Sequence, residues 1–270
     1  MPQPDMSRRA DTRYLREVAY ANPSGLAARA SLYDFQQPYI DLQAEALAVL
    51  GDVDGRVIGD VGCGSGRYID ALRGAGAHIV GIDLSLGMLA GVPNPPPLVV
   101  ADAQALALTD ASLDVVMMMH MLYHVPDPAA AVAEAARILR RDGKVLVATN
   151  SRSHLAEMNE LWLPLLDRTG LRVSLEDAGL VNPLVTAEDA QRFVAIQFPE
   201  PSVHWLRSSV IVTEPAPVVR HAASTIAAQA VGEYRDELMG ELSDAITSQI
   251  RRDGQFTITT EVAFITATKS

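Results

Sequence analysis

Cysteine occurs once in this 270-residue chain, at Cys63, and lysine twice, at Lys144 and Lys269. A single thiol excludes an intramolecular disulfide and a cysteine-built zinc site. Positive charge therefore falls almost wholly to arginine, and 22 basic residues face 33 acidic ones for a formal net charge of −11. A phosphate backbone is bound by clustered Lys and Arg that release counterions. The one local cluster, Arg8, Arg9, Arg13 and Arg16, is interleaved with acids, so nucleic acid is not an expected partner. No run of about 18 apolar residues is present, which argues against a membrane span. The opening Met1-Pro2-Gln3-Pro4-Asp5 lacks the apolar core of a secretion signal, so a cytoplasmic location is the expectation. At 49% hydrophobic, the chain can bury one substantial core with an added subdomain.

What is present begins with Asp60-Val61-Gly62-Cys63-Gly64-Ser65-Gly66. The apolar Val57-Ile58 leads in, and a helical pattern from Arg67 to Leu72 follows. Strand, glycine-rich turn and helix is the order in which a backbone approaches a nucleotide-like ligand closely. Glycine tolerates positive φ and carries no Cβ to block that ligand. A second apolar run, His78 to Ile82, ends in Asp83, where an acid commonly grips a ribose diol. A dinucleotide fingerprint reads G-x-G-x-x-G and sets a pyrophosphate on the helix N-terminus. Here the glycines alternate, with Asp60 two residues before the first. That acid would repel a pyrophosphate and suits a ligand bearing an ammonium group.

These residues resemble the first motif of the class I S-adenosylmethionine-dependent methyltransferases, D/E-x-G-x-G-x-G. Further segments resemble the family in the same order. Val99 to Gln104 reads as a strand ending in Asp102, and the turn-rich Asp110 to Asp114 leads into Val115 to Met119. His120 to Asp127 resembles the segment closing the fourth strand, and Pro128 then opens a helix to Leu139. Arg140 to Lys144 reads as a turn before a fifth strand, Val145 to Thr149, although Arg141 and Asp142 replace the family's Pro and Gly. Thr257 to Thr268, rich in β-branched residues, fits the family's antiparallel last strand.

The resemblance implies an α/β fold, a Rossmann-like doubly wound sheet of seven strands, mostly parallel with an antiparallel last strand. It implies S-adenosyl-L-methionine as cofactor and S-adenosyl-L-homocysteine as product. Asp60 would lie near the methionyl ammonium, and Gly62, Cys63, Gly64 and Gly66 would form the cofactor turn, with Cys63 there for packing. Asp83 would hold the ribose, and Leu84 and Met88 could pack on the adenine, although a Met at that helix spacing is equally compatible with plain core. Asp102 with Ala103 would meet the adenine amino group, and His120 would touch the cofactor through its backbone.

Four regions follow: a helical cap over 1–50, a cofactor-binding core over 51–150, a substrate-covering lid with late core elements over 151–250, and a final strand over 251–270. The cap is expected to hold helices at Tyr14 to Val18, Leu26 to Tyr33 and Tyr39 to Leu50. Within the lid, Leu155 to Leu166 and Pro215 to Ala230 read as helix. Ser174 to Ala190 is mixed, and Gln191 to Phe198 and Trp205 to Val212 have strand character.

The implied chemistry is in-line displacement at a sulfonium methyl, which needs alignment more than a universal catalytic residue. A hydroxyl nucleophile benefits from a base, and His124 is the candidate. His154, after the fifth strand, could also face the substrate. The four-residue spacing of His120 and His124 falls on a strand end before Pro126, not on a helix, so a zinc site is discounted. Acids outnumber bases about two to one between 151 and 250. Lining the lid's inner face they would favour a cationic acceptor such as an amino sugar; otherwise they form a solvated surface. The expected activity is methyl transfer to an oxygen or nitrogen of a small molecule, in the setting of specialised metabolism, as monomer or homodimer. A nicotinamide-dependent oxidoreductase is the alternative that glycine spacing and Asp60 oppose, and a cofactor-binding pseudo-enzyme is a third.

Overall fold

In the computed structural model, which describes residues 29–170, 185–225, 228 and 231–270, short apolar runs pair into one eight-stranded sheet. The strands are β1 (Gln36–Gln37), β2 (Val57–Val61), β3 (His78–Asp83), β4 (Leu98–Val100), β5 (Leu113–Met119), β6 (Leu139–Asn150), β7 (Ser202–Val212) and β8 (Phe256–Thr268). Their order is β1-β7-β8-β6-β5-β2-β3-β4. Strands β4, β3, β2, β5 and β6 are mutually parallel. Strand β8 runs antiparallel between β6 and β7, and β1 runs antiparallel to β7. The chain leaves β2 towards β3 on one side and returns to β5 on the other, so a topological switch lies at β2, where open α/β sheets gather ligands.

Helices α1 (Leu42–Leu50), α2 (Ile69–Gly74), α3 (Leu86–Leu89), α4 (Pro128–Ile138), α5 (Ala156–Arg168), α6 (Ala187–Gln197), α7 (Ala216–Ala223) and α8 (Arg235–Asp253) accompany the sheet. One core packs Val116 and Val147 with Ala135 of α4 and Val194 of α6. Another packs Met117 and Leu146 with Leu50 of α1 and Leu72 of α2. Alternate residues of β5 thus enter opposite cores, which is why Val115 to Met119 is an unbroken apolar run. A third core joins α5, α7 and α8 to the ends of β7 and β8. Among the described residues, no helix is long and apolar enough to cross a membrane.

Several elements depart from the sequence expectations. The eighth strand is β1, whose two glutamines pair with Val210 and Ser209 of β7. The helix expected over Tyr14 to Val18 lies outside the described residues, as do residues 174–184. Of Leu26 to Tyr33, the described part is helical only at residues 29–30 before a 3-10 turn, Ser31–Phe35. Gln191 to Phe198 is not a strand: residues 191–197 close α6, and Phe198 is its C-cap. There the Thr186 hydroxyl accepts from Asp189 N at 3.4 Å and Thr186 N donates to Asp189 Oδ2 at 3.3 Å. This reciprocal cap starts a helix, and Ala190 and Val194, one turn apart, bury its face. The expected turn at Arg140 to Lys144 is absorbed into β6 as a bulge, since Leu113 pairs with Leu139 but Val115 pairs with Lys144.

The cap gives a direct test. Thr186→Ala should cost about 1 kcal/mol of stability, read as a lower denaturation midpoint with unchanged slope; no shift would show that α6 does not depend on it.

Candidate active site

The carboxyl ends of β2, β3, β5 and β6 open into a cleft of about 950 Å³. Its floor is the glycine turn after β2. Gly62, Gly64 and Gly66 have φ of 74°, 55° and 83°, a region costly for side-chain-bearing residues. The turn is tied down by Gly62 N and Cys63 N, which donate to Ile82 O at 2.7 and 3.0 Å. A Cβ on Gly62 would stand 2.6 Å from Met121 Cβ, so this close approach admits no other residue without repacking.

Asp83 straps the turn from the tip of β3. Its Oδ2 accepts from Gly64 N at 2.8 Å and its Oδ1 from Ser85 N at 2.8 Å. Burial pushes its carboxyl up, and these backbone N–H groups pull against that. Each oxygen keeps a further lone pair for a ligand hydroxyl.

Asp60 differs. It is 1% exposed, and neither carboxylate oxygen has a hydrogen-bond partner. Burial, with a smaller push from the Asp83 charge, raises it to about 7. Leaving a buried carboxylate unpaired is costly, and the group is poised for a cation that would neutralise it.

The other expected residues also line this cleft. Asp102 is held by Gln104, whose N and Nε2 donate to Oδ1 at 2.9 and 3.0 Å. Ala103 is buried beside it. Leu84 is half-buried, whereas Met88 is fully buried beneath the turn, its Cε 3.3 Å from where a Gly64 Cβ would lie. Burial pushes the Cys63 thiol up, leaving it an uncharged packing group. His124 sits edge-on to Tyr123, ring centroids 4.4 Å apart.

His120 stands at the tip of β5 with a left-handed φ of 55°. Its N donates to Ala148 O at 2.8 Å, and its buried Nε2 has no partner. His154 reaches the cleft but has no nitrogen to spare. Glu261 N donates to its Nδ1 at 3.1 Å, and its Nε2 lies 2.9 Å from Tyr33 Oη. A backbone N–H on Nδ1 forces the neutral ring to carry its proton on Nε2, so His154 donates to Tyr33 and cannot take a substrate proton.

Sequence reasoning missed Tyr33, Arg67 and His221 on the cleft wall. Arg67 directly follows the third glycine, a signal available in the sequence. Tyr33 and His221 carry no local signal and are brought in by tertiary packing.

Residues 59–147 match the model of the methyltransferase domain family. A ubiquinone biosynthesis O-methyltransferase of Methylococcus capsulatus is 44% identical over 107 residues, 37% of this chain and 45% of that protein. One from Thiobacillus denitrificans is 40% identical over 128 residues, 42% and 55% respectively. Over residues 59–147 this chain is therefore similar to the methyltransferase domain family. The match spans about half the length of these relatives. Two solved structures share the fold. A Bacillus halodurans protein is 18% identical with a TM-score of 0.60, covering 84% of this chain and 98% of its own. A Haemonchus contortus phosphoethanolamine N-methyltransferase 2, in complex with S-adenosylhomocysteine, is 16% identical with a TM-score of 0.56, covering 97% and 60%. The family's cofactor carries an ammonium, a ribose diol and an adenine. The orphaned Asp60 carboxylate, the spare lone pairs of Asp83 and the Gly62 cradle fit that set.

The state of Asp60 has a stability consequence. Between the usual carboxylate range and pH 7 the folded protein holds a proton that the unfolded chain releases. Stability should therefore fall as pH rises from about 4 to 7 and level off above. Asp60→Asn should abolish that fall and, without ligand at pH 8, be more stable than the parent by about 2–4 kcal/mol. Urea titrations across this range would show it; parallel pH profiles would refute it.

Proposed function

We propose that the chain transfers the methyl group of S-adenosylmethionine to an oxygen or nitrogen of a small molecule. The unpaired, buried Asp60 carboxylate beside the glycine turn carries the reading, because a cationic ligand removes its burden. When bound, the cofactor supplies a methyl on a positively charged sulfur, already activated for displacement. The chain's own part is to align and to exclude water.

In this reading Asp60 neutralises the methionyl ammonium, and Arg67 at the cleft's edge meets the carboxylate. Asp83 accepts from the ribose hydroxyls. Asp102 and Ala103 meet the adenine amino group, Leu84 flanks the ring with Met88 supporting the turn, and the φ-positive glycines allow the approach. The 51–150 core would hold the cofactor, while 1–50 and 151–250 would close over the acceptor. The relatives from Methylococcus capsulatus and Thiobacillus denitrificans are O-methyltransferases, which favours oxygen over nitrogen. A net charge of −11 supports a small molecule rather than nucleic acid.

Calorimetry with S-adenosylhomocysteine and with NAD tests the reading. The first should bind and the second should not; the reverse would favour an oxidoreductase. Asp83→Ala should weaken S-adenosylhomocysteine at least about tenfold, through lost hydrogen bonds to a charged group and a slackened turn. Near-normal affinity would contradict the ribose role.

A further inference from the structure

The cleft is divided in character. Its carboxylates Asp60, Asp83 and Asp102 come from the β2, β3 and β4 strand ends, while its β5, β6 and β8 side presents His120, His154 and Thr260. Among the described residues of 151–250, those lining it are His154, Leu155, Leu206 and His221. Three of that region's described acids are engaged elsewhere. Glu157 accepts from Thr259 N and Oγ1 at 2.7 and 2.6 Å, Asp189 caps α6, and Glu241 pairs with Arg168. The amino-sugar expectation thus finds no lid carboxylate on the cleft among the described residues; Asp34, at the rim, is exposed.

We propose that Tyr33 and His120 hold the methyl acceptor, His154 acting as the positioning residue, and that the acceptor is an uncharged hydroxyl compound with an apolar body. The proposal rests on the methyltransferase reading and names its substrate class. Tyr33 Oη accepts from His154 Nε2–H, and among the described residues no other hydrogen bond reaches it. Its own proton is therefore available to an acceptor oxygen. The Tyr33 and His154 rings stack at 6.1 Å, and His221, whose Nδ1 donates to Arg29 O at 3.1 Å, meets Tyr33 edge-on at 6.3 Å. Together these fix the phenol. His120 offers a buried nitrogen without a partner, on a left-handed backbone that only its surroundings sustain.

The chamber is also electrically neutral near pH 7. Burial lowers His120 to about 4 and His154 to about 3, lowers His221, and raises Tyr33 to about 12; Arg67 at the edge adds to the lowering at His120. Leu155, Leu206 and Val262 supply apolar wall. A cationic acceptor would find no counter-charge here, whereas a neutral hydroxyl finds a donor and a proton acceptor. In the step itself, an acceptor oxygen lone pair forms the O–C bond and the C–S pair stays on sulfur. The hydroxyl proton passes to His120 Nε2 and then to water. Positive charge moves from sulfur to imidazole, and the net charge of the cleft is unchanged.

The test uses the full chain loaded with S-adenosylhomocysteine, phenol and benzylammonium as probes, and nitrogen NMR of the histidine rings. Phenol should shift the His120 ring signals and benzylammonium should not, and His154 should carry its proton on Nε2. Tyr33→Phe and His154→Phe should each weaken phenol about fivefold or more, with S-adenosylhomocysteine affinity held within about twofold. His154→Gln, whose amide still donates to Tyr33, should restore phenol binding. His120→Asn keeps a residue type tolerant of left-handed backbone and should weaken phenol likewise. Phenol leaving His120 unmoved, benzylammonium binding as well as phenol, or a proton on His154 Nδ1 would overturn the proposal. Failure of S-adenosylhomocysteine itself to bind would instead bring down the cofactor reading, and this proposal with it.

Discussion

A carboxylate buried without a partner is the constraint around which the cleft is built. Asp60 sits in the central strand of the parallel half, opposite Gly81 of β3 and Met117 of β5. Neither neighbour's side chain can hydrogen-bond its carboxylate, and what little of it is exposed borders the cleft. Folding alone would favour a neutral residue there. The local rule that buried charges are paired is broken at the one strand end that feeds the glycine turn, and such breaks are expected at functional sites.

The rest of the cleft is arranged by charge. Acids come from the strand ends that diverge on the β3 side of the topological switch, and neutral hydrogen-bonding side chains come from β5, β6 and the antiparallel strands. A cationic sulfonium ligand and an uncharged acceptor would then meet at the tip of β5. Asp83 has a double duty in this arrangement. The oxygens that would meet the ribose also tie Gly64 and Ser85, so the geometry of the turn and the grip on the ligand are one construction.

Much of this was legible in the sequence because it is local. The glycine turn, Asp60, Asp83 and Asp102 lie at strand ends whose apolar runs are easily read, and the β-branched run at 257–268 forms the antiparallel strand β8. What was not legible depends on contacts between distant segments. Tyr33 meets His154 across 121 positions, and His221 meets the Arg29 carbonyl across 192. No periodicity encodes such meetings. The two-residue strand β1 is likewise too short to leave a pattern. In α6 the β-branched and aromatic composition of Gln191 to Phe198 suggested a strand, but the cap at Thr186 and packing against α4 outweighed it. For His154 the sequence suggested a group facing substrate; only the Glu261 backbone N–H reveals that its basic nitrogen is already used.

The most direct measurement is the titration of the Asp60 carboxyl by carbon NMR, with and without S-adenosylhomocysteine. Without ligand the group should titrate near 7, and with ligand it should be ionised well below that, with a proton released on binding at pH 6. A carboxyl that stays protonated in the complex, or that titrates in the ordinary aspartate range in the free protein, would contradict the cation-receptor role on which the site depends.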